Sequence, residues 1–206
     1  MNKNQKVSIK DIEGIILESK EKLQMIFGEN LLFGFICGGI ANGYATYDHD
    51  IDYFICVKSP ISKETYTDYL KWYFDIHKRY NLSADVDYPG EIVTYDQLMS
   101  TINILYNLKL TLQIKSIAVK KSIIWTDMIV GQIVCVVGNN LEELDKIRRD
   151  FAHFPQQWKE DVLKLISPRE KSLWKKKSHL LLMEHFMKYP KYDGKKLKIE
   201  DYIWGL

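Results

Sequence analysis

The stretch LLFGFICGGIANGYATYDHDIDYFICV, residues 31–57, decides the fold. It reads as an apolar strand over 31–37, a double glycine, a short polar connection, and a second apolar strand over 50–57 that opens with carboxylates on alternate residues. Successive strand side chains point to opposite faces, so Asp50 and Asp52 share one face while Ile51 and Tyr53 take the other. The neighbours Ile51, Phe54, Ile55 and Val57 predict a strand that is largely buried. Two adjacent carboxylates repel, and burying both without a cation is costly. A hard divalent ion with oxygen ligands, Mg2+ above all, resolves the conflict. Gly38 and Gly39 allow close backbone approach to a ligand and present N–H groups at the turn.

Working outward, residues 8–28 read as an amphipathic helix with Ile9, Ile12, Ile16, Leu23 and Ile26 near one face, Ser8 as N-cap and Gly28 as stop. Pro60 ends the second strand. Residues 61–80 predict a long helix whose buried stripe is Tyr66, Leu70, Tyr73 and Ile76. In LSADVDYPGEI, residues 82–92, alternation predicts a strand with Ala84 and Val86 on one face and Asp85 and Asp87 on the other. A further helix follows over 95–109. Residues 111–127 fit helix or strand, and 128–138, rich in Val and Ile, read as a strand. From 141 the pattern turns helical, with Phe151, Phe154, Trp158, Val162 and Leu165 as one stripe and a second helix after Pro168. The fold class is α+β, a mixed sheet with helices against it and then a C-terminal helical region, divided into 1–138 and 139–206.

Composition bounds the function. The chain has 206 residues, 46% hydrophobic and 27% charged, which is an ordinary globular balance. No apolar run reaches membrane-spanning length, and MNKNQKVSIKD lacks a signal-peptide core, so a cytoplasmic protein without a membrane partner is expected. Cys37, Cys56 and Cys135 lie in apolar runs without paired spacing and read as buried free thiols rather than a zinc site. A net charge of +2 argues against a nucleic-acid-coating surface. The lysines at 175–177 and 195–198 read as a solvated helix face, and His49 as a loop-end residue turned away from Asp50 and Asp52. The oligomeric state and the base preference are not encoded in any motif.

A strand, then Gly-Gly, then about ten residues and a strand of the form hydrophobic-Asp-hydrophobic-Asp resembles the nucleotidyltransferase superfamily that includes DNA polymerase beta. Gly38-Gly39 and Asp50-Ile51-Asp52 carry the resemblance, which covers roughly residues 30–90. Asn42-Gly43 stands where many small members have Arg-Gly. Position 39 is Gly where antibiotic-modifying members commonly carry Ser, so backbone amides would hold phosphate there without a hydroxyl.

The resemblance implies a polymerase beta-like fold and an enzyme that moves a nucleoside monophosphate from an NTP, with ATP the leading candidate, to an acceptor hydroxyl, releasing pyrophosphate. Asp50 and Asp52 would hold Mg2+, Gly38, Gly39 and Asn42 the nucleotide. A third carboxylate, Asp85 with Asp87 as runner-up, would complete the metal site or act as general base. A small hydroxylated acceptor such as an aminoglycoside or lincosamide antibiotic is the leading expectation. The alternatives are a protein hydroxyl, as in toxin-neutralising minimal members, and a nucleotide-binding module without catalysis.

Overall fold

In a computed structural model, residues 5–107, 125, 128–129 and 131–152 are described. The chain divides into two compact units, 1–95 with 133–141 and 96–132 with 142–206. The first is built on β1 (Leu31–Ile36) and β2 (Tyr53–Val57), antiparallel, with Phe35 opposite Phe54 and Ile36 opposite Tyr53. β3 (Glu91–Thr94) adds parallel to β2, and β4 (Val134–Val137) adds antiparallel to β1, giving a four-stranded mixed sheet in the order β3-β2-β1-β4. β1 and β2 are the central pair, which explains their unbroken apolar sequences: residues on both faces are buried.

Three helices belong to this unit. α1 (Ile9–Phe27) is capped at its start by Ser8, whose Oγ accepts from the Asp11 N–H at 3.1 Å, and ends at Gly28 as expected. α2 (Gly38–Asn42) is a five-residue helix directly after β1, where the sequence suggested only a turn. α3 (Lys63–Arg79) is capped by Ser62 and supplies the crossover between the parallel strands β2 and β3. α1 and α3 pack against each other, and α1 also covers β1 and β4.

Both helical stripes differ from expectation. On α3 the buried set is Tyr69, Trp72, Tyr73, Ile76 and His77, while Tyr66 is 41% exposed and Leu70 is partly buried. Seven aromatic or aliphatic residues between 66 and 76 leave the helix several possible faces, and polar tips settle the choice. The Tyr69 hydroxyl donates to the Pro89 carbonyl at 2.6 Å, and Trp72 Nε1 donates to Glu18 at 3.3 Å. On α1 the buried residues are Ile15, Ser19, Leu23 and Phe27, with Ile9 exposed. Ser19 can enter the core because it shares a 2.7 Å hydrogen bond with the Tyr53 hydroxyl.

The expected strand over 50–57 begins only at Tyr53. β1 turns into α2 after Ile36, so residues 50 and 51 have no ladder neighbour there, and the Ile51 N–H bonds to a side chain instead. The expected strand over 82–92 is replaced by a loop followed by β3. Asp85 Oδ1 accepts from the N–H groups of Asp87 and Tyr88, both at 2.9 Å, a local turn that competes with strand pairing. The expected strand over 128–138 is also shortened: Met128 and Ile129 are helical, and pairing begins at Val134, past Gly131.

In the second unit, α4 (Tyr95–Asn107) matches the helix expected from residue 95. α5 (Leu141–Ala152) begins where the pattern turned helical. Its buried Arg148 donates to the carbonyls of Ile129 and Gly131. The segment 111–127, apart from Trp125, the stripe beyond Phe151, the helix after Pro168 and the late lysines lie outside the described residues. Among the described residues, no helix is long and apolar enough to cross a membrane. Cys37, Cys56 and Cys135 are buried free thiols, and burial pushes Cys135 up to about 12.

Candidate active site

The end of β1 and the approach to β2 are joined through their backbones, since the Cys37 N–H donates to the Asp52 carbonyl at 2.9 Å. This places the Asp52 side chain directly over Gly38. A Cβ at position 38 would overlap the carboxylate, standing 2.6 Å from its Cγ, and Gly38 also has φ +61°. Only glycine meets both demands. The double glycine and the second aspartate, separated by fourteen positions in the chain, are therefore packed one against the other.

Asp50 and Asp52 flank Ile51, which is fully buried, so the alternation expected of them persists although the ladder has not begun. Both are partly buried. Burial raises the Asp50 carboxyl, with the nearby charge of Asp85 adding to it, while a backbone hydrogen bond and His49 act in the opposite sense. Asp85 is exposed on its loop, and its own N–H donates to the Tyr73 hydroxyl at 3.2 Å. Tyr73 collects the whole constellation. Burial raises its phenol first, and the charges of Asp50, Asp85 and Asp52 all raise it further. Asp87 is exposed in the same turn, held through its N–H by Asp85, and is absent from the groups acting on Asp50 and Tyr73.

α2 begins at Gly38, against which Asp52 packs, and its first backbone N–H groups, those of Gly38 and Gly39, lie outside the intrahelical pattern. Gly39 turns its carbonyl the other way, accepting from the N–H groups of Tyr44 and Ala45, both at 3.1 Å. Asn42, on the last turn of α2, is 8% exposed and its Oδ1 is buried without a hydrogen-bond partner. Such an acceptor costs roughly 1–3 kcal/mol when unsatisfied. It suits a donor, such as a sugar hydroxyl or a base amine, and not a phosphate oxygen.

The donor set bears on the Mg2+ expectation in two ways. Its oxygens are hard, and a partly buried carboxylate raised by burial and by the charge of another carboxylate has the chemistry that a divalent cation relieves. Among the described residues, however, no group of three or more His, Cys, Asp or Glu side chains is arranged to hold a metal. Asp50 and Asp52 thus fit an ion held jointly by one or two carboxylates and a substrate's phosphates, the usual mode for Mg2+, better than an all-protein cage.

Two residues outside the expected site belong to it. His77, 1% exposed, accepts the Ile51 N–H at Nε2 (2.9 Å) and contacts the Tyr73 carbonyl through Nδ1 (2.6 Å). Tyr73 was expected only as part of a helix stripe. The signal was present in the spacing, because residues four apart on a helix share a face and Tyr73 lies on the buried one. No family model, curated protein or solved structure matches the chain.

Proposed function

We propose that this chain is a nucleotidyltransferase that moves a nucleoside monophosphate from an NTP to the hydroxyl of a small acceptor, releasing pyrophosphate. The observation that carries the reading is that Asp50, its carboxyl raised by burial and by the charge of Asp85 on a separate segment, stands two residues from Asp52, which packs on Gly38. A partly buried carboxylate that a second carboxylate raises further is costly without a compensating cation.

In this reading Asp50 and Asp52 hold Mg2+ together with the triphosphate. The ion would supply neutralisation of the charge growing on the leaving pyrophosphate. The N–H groups of Gly38 and Gly39 donate to phosphate oxygens, and the missing side chain of Gly38 is what lets the Asp52 carboxylate sit against that turn. Asn42 takes a donor from the sugar or base. Asp85, exposed and ionisable at the edge of the cluster, takes the proton from the acceptor hydroxyl. A second reading is a nucleotide-binding module without catalysis, which the same carboxylates and glycines would serve.

Isothermal titration with each NTP and Mg2+, followed by pyrophosphate release over a panel of aminoglycoside, lincosamide and protein acceptors, separates the two. Turnover that disappears in both Asp50→Asn and Asp52→Asn is the expected result. Mg2+-dependent binding with no turnover on any acceptor selects the module, and no NTP binding at all rejects both.

A further inference from the structure

We infer that Tyr73 and His77, one turn apart on α3, are positioning residues that set the distance between the Asp50-Ile51-Asp52 segment and Asp85. The inference rests on the reading of these carboxylates as a nucleotide and cation site, and it adds the device that assembles them.

Each contact of the pair reaches a different carboxylate segment. A peptide N–H can only donate, so His77 Nε2, which meets the Ile51 N–H at 2.9 Å, carries no proton. A carbonyl can only accept, so Nδ1, 2.6 Å from the Tyr73 carbonyl, carries the ring's one proton. The ring is thereby a neutral imidazole in a single tautomer, with both nitrogens used inside the core. Ile51 lies between Asp50 and Asp52, so fixing its amide fixes the backbone that carries both carboxylates. Tyr73 does the corresponding work for the other segment, its hydroxyl accepting the Asp85 N–H at 3.2 Å. The two rings lie 4.2 Å apart by centroid, and both residues are buried, so neither side chain is free to swing.

Electrostatics explains why such a tether is needed. Asp50 and Asp85 are both carboxylates, and like charges held at one site repel. Carboxylates on an exposed loop and on a segment whose Ile51 amide has no strand partner would drift apart unless those amides were held. Neither segment has strand pairing at the relevant amide, and in both cases α3 supplies the missing partner. A phenylalanine would fill the same volume as His77 more cheaply, without the desolvation of two ring nitrogens. The histidine is therefore best explained by its hydrogen bonds.

The test uses the full chain as wild type, His77→Phe, His77→Gln and Tyr73→Phe, with two readouts. One is amide hydrogen exchange of Ile51 and Asp85 in the protein alone, with Phe35 and Ile55 in the sheet as internal standards. The other is Mg2+-dependent binding of a non-hydrolysable NTP. His77→Phe is expected to release the Ile51 amide while the sheet standards stay protected, and to weaken nucleotide binding by about 10- to 100-fold, the usual range for residues that orient ligands from behind. His77→Gln, whose side-chain oxygen can accept the same N–H, restores most of both. Tyr73→Phe releases Asp85 and leaves Ile51 protected. If His77→Phe does not fold, His77→Gln and Tyr73→Phe decide the matter on the same two amides. Unchanged protection of Ile51 in a folded His77→Phe protein overturns the tether, as does wild-type nucleotide affinity with Ile51 released. A wild-type protein that binds no NTP rejects the proposed function instead, and the exchange readout still decides the tether.

Discussion

At the scale of single residues, Asp50 carries a stability cost that function would explain. Burial raises the Asp50 carboxyl, so the acid form is favoured by the fold, and the stability that it lends is whole below the ordinary value of 3.8 and lost as the pH rises through the raised one. At neutral pH Asp50 is a liability. Asp50→Asn is expected to raise the melting temperature by roughly 2–4 °C at pH 7, the shift for about 1 kcal/mol in a chain of this length, while abolishing transfer. Thermal scans of both proteins at pH 7 and below pH 3.8 check this, since the advantage should vanish in acid; a lower melting point for the variant at pH 7 would contradict it. Gly38, Asp50 and Asp52 were legible in the sequence because a double glycine and alternating carboxylates are local patterns. Their mutual contact was not legible, because a φ of +61° and the packing of Asp52 on Gly38 depend on where two strands lie.

At the scale of elements, α3 joins stability to the site. Burial holds the His77 imidazole below its ordinary 6.5, so the unfolded chain takes up this proton first as the pH falls. The stability contributed by the neutral ring is complete above about pH 6.5 and is lost as the pH drops through the lowered value. Urea midpoints at intervals from pH 8 to pH 5 should therefore fall more steeply for the wild type than for His77→Gln, and parallel curves would refute the assignment. The helices themselves were well marked, with Ser8 and Gly28 at the expected ends of α1 and α3 inside the expected 61–80. Their buried faces were legible in part, with Leu23, Tyr73 and Ile76 buried as expected, while Tyr69, Trp72 and Ser19 were missed because their polar tips find partners only on distant segments. The strand expected around Asp85 failed for a related reason: its carboxylate satisfies two backbone N–H groups locally, and alternation of residue types carries no record of that competition.

At the scale of the whole molecule, a ligand that binds only the folded chain should stabilise it. Saturating Mg2+ and NTP, at about 100 times the dissociation constant, contribute about 2.7 kcal/mol, which corresponds to a rise of roughly 5–10 °C in the melting temperature. The rise should require both components and should be lost in Asp52→Asn; equal shifts in wild type and variant, read by calorimetry, would place the binding elsewhere. The sequence by itself determined the α+β class, the central apolar strands, the helix caps and the Gly-Gly and Asp-x-Asp pattern, because each follows from periodicity or from the conformational limits of neighbouring residues. Only the tertiary structure decided the order of the mixed sheet, the start of β2 at Tyr53, the loop at Asp85 and the tether through Tyr73 and His77. Apart from the local turn at Asp85, these depend on hydrogen bonds between residues far apart in the chain, whose partners are chosen by packing and by the need to satisfy buried polar groups.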